Sequence, residues 1–405
     1  MTAVVFYFQV HQPYRLRRYT FFDIGRSDDY FDHTENARIV RRVAEKCYEP
    51  MNALLLERLK AMKGDFRCSF SISGTALMQM EEYAPNALRS FQRLAETGHV
   101  EFLAETSHHS LSFMGDAEEF RFQVADQVAR VERLFGRRPR VFRNTELIVD
   151  NHVARMAEDL GFDGIMAEGA DQLLGWRSAH RVYLPEGCER IKALLRSYSF
   201  SDDIAFRFSN RGWSEWPLTA DRFASWLHAT PKEDEPIGLF MDYETFGEHQ
   251  WEETGIFDFM RALPTELLRD PRFRFATPSE IVDQVDPVGR LDIPRPVSWA
   301  DAERDLTAWM GNHMQRGAFA AIHALGAQAR RVGGELLLAW RKLTTSDHFY
   351  YMCVKYSSDG DVHKYFSPYA TPHDAYIAYM NVLDDLARRL DSAESATATS
   401  LGVLS

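Results

Sequence analysis

Thiols are scarce in this chain of 405 residues. Its four cysteines, Cys47, Cys68, Cys188 and Cys353, stand far apart with no CxxC pair, which argues against a disulfide framework and a thiolate zinc site and points to a reducing compartment. Long hydrophobic runs are also missing: no uninterrupted apolar stretch reaches the ~18 residues that a membrane-spanning helix needs. Residues 1–10 lack the basic start and small-residue cleavage site of a secretory signal; they read as a first β-strand, and a cytoplasmic protein is expected. Positive charge is under-represented, with 47 Lys and Arg against 59 Asp and Glu for a formal net charge of -12. The basic clusters Arg15-Leu-Arg-Arg18 and Arg137-Arg-Pro-Arg140 are short and isolated, so neither nucleic acid nor an anionic membrane is expected as a partner. No HxxxH spacing is present, and neither a metal nor any other cofactor is expected.

The chain does have apolar content, 45% hydrophobic and 13% aromatic, enough for one large core and a smaller second unit. Runs rich in β-branched and aromatic residues predict strands over 4–10, 67–72, 99–104, 140–145, 163–166, 194–200 and 237–241, with an eighth or edge element over 273–276. Amphipathic segments such as 116–135 and 151–160 lie between them, with Gly136 and Gly161 as C-terminal stops. Strand-helix alternation predicts a parallel sheet, doubly wound or closed. Polar residues follow most of the strand ends (His11-Gln-Pro13, Ser73-Gly-Thr75, residues 105–109, Glu146, Glu168, Asp242) instead of gathering at one crevice, which favours a barrel. Strand rhythm stops near residue 285. Helices are expected over 301–331, 334–343 and 371–390, giving a catalytic barrel over 1–285, an α-helical bundle packed on it over 286–390, and a loose Ser/Ala/Thr-rich tail over 391–405.

Two strand ends carry acids that packing does not call for. Gly238-Leu-Phe-Met-Asp-Tyr-Glu-Thr-Phe-Gly-Glu-His249 runs from apolar strand into acids and aromatics, and Arg140-Val-Phe-Arg-Asn-Thr-Glu146 delivers a second carboxylate. An acid at such a place commonly caps the next helix, but Asn144, Thr145 and Asp150 would cap better than Glu146. Asp242 and Glu244 stand at i and i+2; if both are extended they share a face, and their mutual repulsion raises one pKa, which suits a general acid. His11 and Gln12 at a strand end suit hydrogen bonding to hydroxyls. With His108, His109 and His249 they also require a metal site to be weighed. Trp213, Trp216, Trp251, Trp309 and Trp340 with Phe349-Tyr-Tyr351 are numerous for polar segments; half or more are expected to pack between barrel and bundle, the others to offer stacking faces for pyranose rings.

These motifs stand in the order of a known family, and over nearly its whole length the chain resembles glycoside hydrolase family 57, which acts on α-glucans. His11-Gln-Pro13 is similar to the family's first motif, Gly98-His-Val-Glu101 with His109 to a loose version of the second, and Arg143-Asn-Thr-Glu146 to the third, which carries the nucleophile. Asp242-Tyr-Glu-Thr-Phe-Gly247 is similar to the fourth, whose first acid is the acid/base, and Ser346-Asp-His-Phe-Tyr350 to the fifth. The resemblance implies a (β/α)7 barrel followed by a helical region, and a retaining mechanism without metal. It implies Glu146 as nucleophile and Asp242 as acid/base, with His11, Gln12, His109, Asp203, Trp213, Trp216, Glu244, His249, Trp340 and Asp347 lining sugar subsites. An α-amylase acting on glycogen, starch or maltodextrin is the leading expectation. A 4-α-glucanotransferase or branching enzyme of the same family, a metal-dependent deacetylase using His11, His109 and an Asp, and a catalytically silent glucan-binding protein are the alternatives.

Overall fold

The computed structural model describes residues 1–355 and 367–402, with side chains through residue 396. Among the described residues ten strands form: β1 Thr2–Val10, β2 Cys68–Ile72, β3 Val100–Phe102, β4 Val141–Arg143, β5 Gly164–Glu168, β6 Val182–Pro185, β7 Lys192–Arg196, β8 Ile237–Asp242, β9 Phe273–Phe275 and β10 Arg290–Leu291. Seven of them close a parallel barrel. β8, β1, β2 and β3 are paired in that order, a parallel bridge from Ala104 to Phe142 carries the ring on to β4, and β4–β5, β5–β7 and β7–β8 complete it. The last seam rests on one bridge, Arg196 to Gly238. A Cβ at Gly238 would stand 2.4 Å from Leu195 O, so glycine is what lets these strands approach.

Strand parity sorts the core. In β1, Val4, Phe6, Phe8 and Val10 face outward into one apolar layer under the surrounding helices, while Ala3, Val5 and Tyr7 face the barrel interior with Leu103, Val141, Met166, Leu194 and Phe240 from the other strands. Each fully buried large side chain contributes roughly 1.5–3 kcal/mol. The opposite flank packs the outer faces of β4, β5 and β7 against the C-terminal helices, with Phe142, Ile165, Ala193, Trp309 and Trp340 in one cluster. The three remaining strands are peripheral: β9 joins the start of β1, β6 forms an antiparallel pair with β7, and β10 pairs with β6.

Several elements differ from expectation. The strand expected over 194–200 ends at Arg196, because Ser197 N makes a last ladder bond to Gly238 O and the chain then turns into helix Tyr198–Asp202. β6 and β10, too short for a periodic signal, were not anticipated. The helix expected over 301–331 is broken into Thr307–Met310, His313–Ala324 and Gly326–Val332, since Asn312 and Gln315 form a capping box that starts a new helix. The tail expected to be loose continues helix Pro372–Gly402, where Gln328 donates to Asp391 and Glu394, and Arg331 pairs with Glu394. Its last three residues, 403–405, lie outside the described ones.

That long helix is tied to the loop after β1 by Asp385, which accepts from Tyr30 (2.6 Å), Gly25 N (2.5 Å) and Arg389 (2.6 Å). Burial pushes its carboxyl up, but these donors outweigh burial and hold it below the usual range. Asp385→Ala leaves Tyr30 and Gly25 unsatisfied and is expected to cost about 2–3 kcal/mol. Because the folded-state pKa is depressed, the tie is present above the unfolded value and is lost as pH falls. The melting-temperature deficit at pH 7 should therefore shrink below about pH 4, as calorimetry would show.

Candidate active site

The parity that makes the interior apolar also decides what stands at its C-terminal mouth. Continuing inward positions along each strand gives Gln9 and His11 after Tyr7, Ser71 and Ser73 on β2, Glu105 after β3, Arg143 on β4, Glu168 on β5, Arg196 on β7 and Asp242 on β8. Every barrel strand thus ends in a polar inward side chain. Lower in the ring, Tyr7 and Ser71 both donate to Gln9 Oε1 at 2.6 Å, and Gln9 Nε2 donates to Glu105 Oε1 at 3.1 Å. On the far side, Glu168 accepts from Arg196 at 3.0 Å and from Arg304 at 2.8 Å.

Glu146 lies one tight turn beyond β4, in a left-handed backbone conformation (φ 55°, ψ 26°) shared by Leu147 (φ 54°). Such a conformation is uncommon outside glycine and costs of order 1–3 kcal/mol per residue. It turns the carboxyl toward His109, itself at φ 48°. His109 bridges two acids, with Nδ1 2.8 Å from Glu105 Oε2 and Nε2 3.3 Å from Glu146 Oε1. The Glu105 side chain is 0% exposed and that of His109 2%, whereas Glu146 keeps 21%, so the bridge is dry and its outer acid is reachable. Burial alone would lower the His109 pKa, but the two carboxylates outweigh it and raise it to about 9. At neutral pH both ring nitrogens therefore carry protons and donate. Glu146 receives the reciprocal effect: burial pushes its carboxyl up, and the His109 hydrogen bond, the His109 charge and the Arg143 guanidinium pull it down further, to a net value below the ordinary one.

Asp242 behaves oppositely. Burial, then the negative charge of Glu146, lift it to about 6 against the pull of Arg143, Arg196 and His109. The two acids thus feel one another and share Arg143 and His109 as neighbours. Glu244 is not the extended i+2 partner expected of it, because β8 stops at Asp242 and Tyr243–Thr245 form a 3₁₀ turn. It turns into a buried niche where it accepts from the Tyr48 hydroxyl and from Gln12 Nε2 at 3.4 Å. Burial and the charge of Asp242 raise it to about 8.

The structure brings further expected residues to this mouth. His11 stacks on His109 with ring centroids 3.9 Å apart, while its nitrogens meet Ser73 Oγ at 2.7 Å and Asp347 Oδ2 at 2.8 Å. Asp347, from the C-terminal helices, is 20% exposed beside His11. Gln12 is fastened below by Arg15 and reaches Glu244. Both nitrogens of His11 and of His109 are thus engaged by neighbouring side chains, and among the described residues no group of three His, Cys, Asp or Glu is arranged to hold a metal ion.

Other expected residues have partners of their own. Trp340 is no sugar platform: it is 0% exposed, its indole donates to Ile322 O, and it packs in the cluster between barrel and helices. Trp213 packs half-buried against Trp226, and exposed Trp216 lies under Arg211. Asp203 pairs with Arg207 four residues on, and burial raises its pKa. His249 follows the turn, its amide on Glu244 O, and burial lowers its pKa to about 4.

Trp299 and Arg143 are among the participants that sequence reasoning did not single out. Trp299 Nε1 donates to Glu146 Oε2 at 3.0 Å, although Trp299 lies in a stretch with no periodicity to flag it. Arg143 is fully buried, and none of its three side-chain nitrogens has a hydrogen-bond partner among the described residues. An arginine at an inward strand position was the available signal.

A family model described as "Glycosyl hydrolase family 57" matches residues 5–294. The chain is 42% identical over 400 residues to a Methanocaldococcus jannaschii protein described as "Putative alpha-amylase", covering 94% of this chain and 83% of that one. A GH57 branching enzyme from Thermococcus kodakaraensis shares the fold with a TM-score of 0.68 at 14% identity, over 96% of this chain and 90% of that one. A 4-alpha-glucanotransferase from Thermococcus litoralis gives 0.59 at 15% identity over 94% of this chain, which spans 55% of that enzyme's length. The barrel, the order of its motifs and the extent of the family match all agree: the chain belongs to glycosyl hydrolase family 57.

Proposed function

We propose that this chain is a retaining α-glucan hydrolase that cleaves α-1,4-glucosidic bonds of glycogen, starch or maltodextrin through a covalent glycosyl-enzyme intermediate. The observation that carries the reading is the placement of two carboxyls at the barrel mouth, Asp242 at the end of β8 and Glu146 held at 21% exposure by His109 at 3.3 Å and Trp299 at 3.0 Å, and the electrostatics agree with it, Glu146 lying below its ordinary pKa and Asp242 raised to about 6. Such a split assigns nucleophile and acid. Glu146, ionised and aimed by His109, attacks the anomeric carbon, and the glycosidic oxygen leaves with the proton of Asp242. Asp242, now a base, takes a proton from water, whose oxygen displaces Glu146 and restores the anomeric configuration. His11, Gln12 and Asp347 would receive hydroxyls of the bound sugars, and Glu244, whose carboxyl burial and the charge of Asp242 raise to about 8, stays protonated in its niche beside Tyr48 and Gln12.

Glu146→Gln should lower turnover of maltoheptaose by about 10³-fold or more without unfolding the protein. Full retained activity would refute the nucleophile assignment. With wild-type enzyme, maltotriose should yield glucose and maltose. Accumulation of longer chains would assign the intermediate to a sugar acceptor, making the protein a transferase, and tight glucan binding with no product would make it a binding protein.

The pH dependence follows from the same charges. Asp242 must hold its proton, so kcat/KM should decline above about pH 6. Arg143 lowers both acids, so Arg143→Met should move both limbs of the profile to higher pH.

A further inference from the structure

Trp299 follows the barrel in sequence but reaches into its mouth. Besides the indole bond to Glu146 Oε2 at 3.0 Å, its backbone N–H meets Glu146 O at 3.5 Å. Its ring receives the Arg143 guanidinium at 4.6 Å and lies 5.9 Å from that of Arg196. Among the described residues the Arg143 side chain makes no hydrogen bond, and its cation rests on the indole face.

The loop around Trp299 is fixed at both ends. Before it, Val149 and Val297 exchange backbone bonds of 3.0 and 2.9 Å. After it, Ser298 bonds to Arg304 O and Asp305 O, and Arg304 reaches back to Glu168 at 2.8 Å and to Asp202 at 3.5 Å. A half-buried tryptophan held this firmly gains nothing for packing by pointing its N–H at a carboxylate.

We propose that Trp299 is a positioning residue for the nucleophile: its N–H fixes the orientation of the Glu146 carboxylate and stabilises the charged form. His109 and, at 3.5 Å, Ser346 both approach Oε1, whereas among the described residues Trp299 alone is bonded to Oε2. A carboxylate oxygen has two lone-pair sites, so Oε2 keeps one for attack. The inference rests on Glu146 as nucleophile, and Trp299 acts through that residue.

The test is the pH profile of kcat/KM for Trp299→Phe, which keeps a ring against Arg143 but deletes the N–H. Loss of one charge-assisted hydrogen bond should reduce kcat by about ten- to a hundredfold with KM changed far less, and should move the acid limb upward by about one pH unit. Trp309→Phe removes an indole N–H from a buried tryptophan whose nitrogen has no partner among the described residues, and should leave the acid limb in place. A limb shift is independent of how much protein is folded. An unmoved acid limb in Trp299→Phe, or an equal shift in Trp309→Phe, would overturn the proposal. Because Glu146→Gln is assayed separately, a failure of the nucleophile assignment and a failure of the Trp299 role give different results.

Discussion

A protonated imidazole locked between two carboxylates holds this site together. His109 cannot be buried as a cation unless it is paired, and Glu105 cannot be buried as an anion unless it receives donors. The bridge Glu105–His109–Glu146 meets both needs at once. Its inner end is anchored through Gln9 to Tyr7 and Ser71, on the neighbouring strands β1 and β2. The backbone yields to this arrangement: His109, Glu146 and Leu147 all adopt positive φ, a cost tolerated at functional sites where surrounding contacts over-determine the geometry.

From that bridge follows the division between the two outer acids. Glu146 receives donors and ends below its ordinary pKa; Asp242, buried near the negative charge of Glu146, ends above it. Neither shift is local to one residue, because Arg143 and His109 act on both acids. The barrel supplies the charges by parity, and the segment after it supplies Trp299, Arg304 and Asp347, so barrel and helical region are chemically one unit.

Much of this could be read from the chain. The alternation in Val4 to Val10 puts Tyr7 inside and, two steps later, His11 at the mouth. The acids of Arg143-Asn-Thr-Glu146 and of the run beginning at Asp242 stood out because no packing role accounts for them. What could not be read depends on tertiary contacts. Trp340 was misjudged because a tryptophan on an amphipathic helix has the same local sequence whether its face meets a core or a sugar. Glu244 followed from an extended-strand assumption that the turn at Tyr243 breaks. Trp299 sits where sequence offers no period, and its role exists only because Val149 and Val297 pair across almost 150 positions of chain. The helix beyond Asp391 is likewise held by Gln328 and Arg331, partners invisible to composition.

The central claim is that Glu146 becomes covalently bonded to sugar while Asp242 moves the proton. Trapping tests it directly: wild-type protein is incubated with a fluorinated maltosyl fluoride whose glycosyl-enzyme turns over slowly, then digested and analysed by mass spectrometry. The account predicts one glycosyl adduct, on the peptide containing Glu146. An adduct on Asp242, or turnover of maltoheptaose with inverted anomeric configuration by NMR and no adduct, would contradict it.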